Sequence, residues 1–218
     1  NVPSCTTVSF RILGYSAVST SNGSYAFYDG TNSTATDFSI VGILSAVSQT
    51  IAVTGSPTAF STTYGTPSAV QNFTVLGSNI PTGIAVSAPS GYEISKDGSA
   101  YSTSLTFNQS SCNVNGTLNL RLSSTAPVTG QYNSKDITLS SANLAGVTSA
   151  TASITTTSSG NLVNPKSLTI APPIIASKSY DGTTTAGAVT PGALSGFVGS
   201  ETVTAIGIAA DYSSANVG

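Results

Sequence analysis

Along this chain apolar side chains return at every second position in short runs, and each run gives way to turn residues. Period-two alternation turns one face of an extended segment to a core and the other to water. A helix needs a period near 3.6, and no window here sustains it. Val8, Phe10 and Ile12 share one such face, as do Phe73 with Val75, then Ile84, Val86 and Ala88, then Tyr92 with Ile94. The stretch GTLNLRL is the clearest case, with Leu118, Leu120 and Leu122 directed inward and Asn119 and Arg121 outward. Ile137 with Leu139, and Ala150 with Ala152 and Ile154, continue the pattern. Turn dipeptides punctuate it at Asn22-Gly23, Asp29-Gly30, Asp97-Gly98, Asn115-Gly116 and Asp181-Gly182. The expected fold class is all-β, built as tandem β-sandwich domains with minimal helix.

The run TTTSSGNLVNP, Thr155 to Pro165, is small and polar and ends in Asn-Pro, which reads as an interdomain linker. A softer break falls near Ser45 to Gln49. These divide the chain into an N-terminal β segment at 1–48, a central sandwich at 49–160 and a C-terminal β segment at 161–218. A length of 218 residues suits two or more modest cores better than one large one.

Composition narrows the chemistry. The chain has no His, Trp or Met, and only 6% of it is charged. Nucleophilic catalysis needs a hydroxyl or thiol with a base beside it, and without His nothing near the many serines looks like an activator. Ser195, in ALSGF, lacks the first glycine of a nucleophile elbow. Glu93 and Asp97 are the acidic pair within five residues, but alternation sends Glu93 to an outer face and Asp97 sits in a turn. Asp29, Asp37, Asp97, Asp136, Asp181 and Asp211 stand apart from one another, unlike the closely spaced acids of a calcium loop. Asp29, Asp97 and Asp181 each precede Gly, which fits turn formation. The chain is therefore expected to be no enzyme, and to use no metal and no cofactor.

The six basic residues, Arg11, Lys96, Arg121, Lys135, Lys166 and Lys178, are scattered singly, which argues against nucleic acid and anionic membranes as partners. No apolar run reaches the roughly 20 residues of a bilayer span, so no membrane insertion is expected. The sequence opens at Asn1 with no signal-peptide pattern, as a mature product or excised piece would. Cys5 and Cys112 allow one disulfide, and a Ser/Thr-rich, charge-poor surface favours an exterior setting where it would persist; two separate thiols are the other reading. Tyr25, Phe27 and Tyr28 cluster in SYAFY, where core packing and an exposed binding patch are both open.

Two stretches resemble known families. TAFSTTYGTPSAVQNFTVLGSNIPTGIAVSAPSGYEISKDGSAYSTSLTF, followed by GTLNLRLSSTAPVTGQYNSKDITLSS, resembles an Ig-like sandwich repeat of large secreted and surface proteins of Bacteroidetes-type bacteria. The shared order is a turn at Tyr64-Gly65, an FTV strand, a GYEIS strand, an Asp-Gly turn and the RL strand. KSYDGTTTA from Lys178, GALSGFVGSETVT from Gly192 and DYSSANVG ending at Gly218 resemble the start of the YDG-type domain of adhesin-like surface proteins, whose further strands are expected beyond this sequence or from a neighbouring subunit. Together the resemblances imply an exported, extracellular or cell-surface protein, with the type 9 secretion route suspected, and no catalytic site to carry over. They imply a structural or adhesive module of a surface protein or filament. Its partners would be neighbouring domains or subunits, or surface glycans or proteins. A carbohydrate- or ligand-binding module of an exported multidomain protein is the alternative.

Overall fold

The computed structural model describes residues 48–142, 149–205 and 209–216. Cys5, the cluster of Tyr25, Phe27 and Tyr28, and the face of Val8, Phe10 and Ile12 lie outside the described residues. Every regular element among those described is a strand, and the fold is all-β.

The larger body contains, in chain order, β1 (Thr50–Thr54), β2 (Ser61–Thr63), β3 (Gln71–Ser78), β4 (Ile84–Ser87), β5 (Tyr92–Ser95), β6 (Ser104–Phe107), β7 (Asn113–Leu122), β8 (Asp136–Ser141), β9 (Thr151–Thr155) and β10 (Leu162–Asn164). Two antiparallel sheets form from them, ordered β1-β3-β7-β5 and β6-β4-β8-β9. From β3 to β8 each strand lies in the opposite sheet from the one before it, so the two sheets are laced together by their connections.

The alternating residues meet in one apolar cluster shared by both sheets. Phe73 and Val75 of β3, Tyr92 and Ile94 of β5, and Leu118, Leu120 and Leu122 of β7 face Ile84 and Val86 of β4, Ile137 and Leu139 of β8, and Ile154 of β9. Burying each of the larger of these side chains contributes on the order of 1.5–3 kcal/mol. Phe60, Tyr92 and Tyr132 add edge-to-face ring contacts, with centroids 5.4 and 6.0 Å apart for the two successive pairs. The Tyr92 hydroxyl donates to the Tyr132 carbonyl at 2.9 Å, and burial pushes that phenol up to about 12.

Two expectations need correction. Asn115-Gly116 is not a turn: both residues lie inside β7, where Asn115 is paired with Leu76 and Gly116 with Val75. Glycine is required there because the Phe107 ring lies over it, and an added Cβ would come within 2.6 Å of that ring. The run Thr155 to Pro165 is not a free linker. Thr156, Asn161 and Val163 are buried, and β10 pairs in parallel with β2, placing Leu162, Val163 and Asn164 beside Ser61, Thr62 and Thr63. The body therefore runs past residue 160, because the small polar residues close it with hydrogen bonds. The Asn161 carboxamide accepts from the Phe60 amide and donates to Asn133 Oδ1 and the Thr157 carbonyl, at 2.9, 2.9 and 2.7 Å.

The C-terminal segment is made of short nested pairs, β11 (Thr169–Ile170) with β14 (Leu194–Ser195) and β12 (Ile174–Ile175) with β13 (Val189–Thr190). A further antiparallel bridge joins Thr185 to Asp211. Its apolar residues are largely exposed among the described residues, Ile170, Ile174, Tyr180 and Val203 among them.

Candidate functional site

Of the residues weighed for catalysis, each described one has a structural partner. The Glu93 carboxylate accepts from Arg121 Nε at 2.7 Å across the β5–β7 pair, and the Arg121 guanidinium lies 3.5 Å from the centre of the Tyr101 ring. Asp97 turns its Oδ1 to the Ser99 amide, the Ser95 hydroxyl and the Ala100 amide. These bonds, the one from the Ser99 amide first, hold its carboxyl well below the usual carboxylate range. The two acids therefore serve an ion pair and a turn, not a shared proton. Ser195 is exposed on β14, its Oγ 2.7 Å from Thr169 Oγ1. No group of three or more Cys, Asp or Glu gathers among the described residues, and no described helix is long and apolar enough to cross a membrane.

The C-terminal segment meets the larger body at the Tyr64-Gly65 turn. The Tyr64 hydroxyl donates to Glu201 Oε1 at 2.6 Å, a bond that raises the phenol above its ordinary value, and Glu201 Oε2 accepts from the Val198 amide at 3.2 Å. Gly65 has φ +89° and lies so close to Val198 that a Cβ would stand 2.6 Å from Val198 Cγ2. Gly65→Val is therefore expected to open this joint while the body stays folded. Hydrogen exchange at the Val198 and Glu201 amides should accelerate about tenfold or more, against little change at Leu120. Unchanged exchange at Val198 would show that the contact does not hold the segment.

The C-terminal segment has a cleft of about 460 Å³ where the Tyr180-Asp181-Gly182 turn faces the 212–216 stretch. The turn is fixed by charge. Lys178 Nζ donates to Asp181 Oδ2, Thr183 Oγ1 and the Thr185 carbonyl at 2.8, 2.8 and 2.6 Å, which engages all three ammonium protons. Asp181 Oδ1 accepts from the Thr183 amide and hydroxyl at 3.0 and 2.8 Å. Across the cleft, the Tyr212 amide donates to the Thr184 carbonyl at 2.6 Å, seating the far wall against the turn. Tyr180 and Tyr212 are 69% and 46% exposed on this cleft. The sequence marked Asp181 as a turn residue but missed the pair of tyrosines, because what brings Tyr212 to Tyr180 is the pairing of Thr185 with Asp211, a long-range contact without a local signature.

The Lys178 ammonium beside Asp181, with the Thr183 bonds, holds that carboxyl at about 2, below its ordinary 3.8. A depressed folded pKa means that the turn's electrostatic support is complete above the ordinary value and fades as pH falls through the folded one. As pH falls below 4 the Thr183 amide resonance is expected to shift with a midpoint near 2, so the titration is carried to about one pH unit below that midpoint. A midpoint at 3.8 would mean that the Lys178 contact does not persist in solution.

The YDG domain family matches residues 164–218. No curated protein matches the chain, and no solved structure does. The matched stretch contains the Lys178–Asp181 turn and both cleft tyrosines, and it points to a module of binding or adhesive type.

Proposed function

We propose that this chain is a structural and adhesive module of a bacterial extracellular surface protein or filament, in which an Ig-like sandwich carries a YDG domain. The observation behind this reading is the YDG match beginning at Asn164, the last residue of β10, so that the second unit follows directly from the strand that closes the first. Short connections of this kind suit a rod of strung domains. The clasp of Tyr64 and Glu201 would limit bending at that joint. A bridge from Cys5 to Cys112 belongs to the same reading, since export to an oxidising exterior preserves it, and non-reducing peptide mapping is the way to detect it.

A strung arrangement makes the full chain longer than a compact globule, whose radius of gyration at this length is about 17 Å. Small-angle scattering is expected to give a clearly larger value with a skewed distance distribution. Antibodies raised to the full chain are expected to label intact, unpermeabilised cells of the source organism. A compact profile together with labelling only after permeabilisation would overturn the proposal.

A further inference from the structure

We infer that the cleft between the Tyr180-Asp181-Gly182 turn and the 212–216 stretch is a binding site for a neutral glycan. The inference rests on the adhesive reading above and names what would be held. Its size comes first: about 460 Å³ falls within the range of small-ligand sites and is suited to one or two sugar rings.

Its charge comes second. Lys178 and Asp181 are the charged side chains lining the cleft, and they are bonded to each other and to Thr183. An anion would have to draw Lys178 away from three acceptors, and a cation would have to displace it from Asp181. Either exchange breaks charge-assisted bonds, which are the stronger kind, so the cleft favours a ligand without net charge.

The third element is the pairing of ring and polar groups. Tyr180 and Tyr212 present large exposed rings to the same space, to which Ser213 adds a hydroxyl and Asn216 a carboxamide. Scattered apolar residues on a surface call for no explanation, but two tyrosines gathered in one polar cleft do. An exposed tyrosine offers an apolar face and a polar tip, which matches a sugar ring with its C–H face and its rim of hydroxyls. A purely apolar partner would leave the hydroxyl and carboxamide without the hydrogen bonds they make to water.

The test uses the full chain and four soluble probes: maltotriose, cellotriose, N,N′,N″-triacetylchitotriose and mannotriose. Saturation-transfer NMR, with titration followed by tyrosine fluorescence, is expected to show saturable binding of at least one. Tyr180→Ala and Tyr212→Ala should each weaken that binding about tenfold, as loss of one ring contact implies. Tyr64→Phe, remote from the cleft, should bind as the parent does. Circular dichroism of each variant establishes that the fold is kept. Saturable binding by none of the four, retention of full affinity in both alanine variants, or binding of a sulfated trisaccharide in preference to the neutral ones would each overturn the inference. None of those results touches the scattering and cell-labelling outcomes, so the adhesive reading stands or falls separately.

Discussion

Asn161→Ala is expected to lower the stability of the larger body by about 3 kcal/mol, since each buried polar group left without a partner costs about 1–3 kcal/mol. Asn161 is buried, and its carboxamide serves the Phe60 amide on one side and Asn133 Oδ1 and the Thr157 carbonyl and hydroxyl on the other. Truncation leaves the Phe60 amide without an acceptor, although the Leu162 amide still bonds to the Phe60 carbonyl. Asn161→Asp sharpens the test, because it has the same shape but replaces the donor with a second acceptor facing Asn133 Oδ1 and the Thr157 carbonyl. Urea unfolding followed by circular dichroism should show a lower midpoint for both variants at neutral pH. A midpoint unchanged for Asn161→Ala would mean that the 155–165 run is no more than a tether.

Leu120→Ala should cost more, about 3–5 kcal/mol, through lost burial and the cavity left behind. Leu120 is fully buried in β7, which lies in the middle of its sheet, and it pairs with Gln71 of β3 on one side and Ile94 of β5 on the other. Since both neighbouring strands are fixed in register, the site has little room to collapse. Leu76→Ala on β3 is the comparison, because that side chain is well exposed and its loss should be felt by less than about 1 kcal/mol. The urea dependence should keep its slope while the midpoint moves. Equal effects at the two leucines would contradict the assignment of inner and outer faces.

Those two residues also mark how far the sequence could be read. Leu120 belongs to an alternation that repeats over Leu118 and Leu122, and a local pattern of period two has one physical meaning when a single face is buried. The inner positions Phe73 and Val75 of β3, Ile84 and Val86 of β4, Tyr92 and Ile94 of β5, Leu118 and Leu122 of β7, and Ile137 and Leu139 of β8 were legible for the same reason, whereas Val114, at the start of β7, was not. Asn161 was not. A small polar run looks the same whether it is solvated or plugs the end of a sheet, and only its partners at Phe60 and Asn133, far away in sequence, distinguish the two. Gly116 failed in the complementary way: beside Asn it carries a turn signal, but the reason for the glycine is the Phe107 ring above it. The candidate site divides along the same line. Asp181 was legible because its partners are three residues away or fewer, whereas Tyr212 reaches the cleft through contacts with residues more than 25 positions earlier, the Thr185–Asp211 bridge and its own amide bond to the Thr184 carbonyl.

The parallel pairing of β10 with β2 sets the order in which this protein is able to finish folding. Phe60 waits for Asn161, 101 residues later, and β2 has its strand partner only once Asn164 is present. A chain emerging from its amino end at about 5–20 residues per second therefore exposes Phe60 and the open end of the core for several seconds before the last strand arrives. Closing such a long loop is also an entropic cost met late, which slows folding of β-rich topologies. For this body the interval between synthesis of β2 and synthesis of β10 is the time in which a holding chaperone would have something to hold.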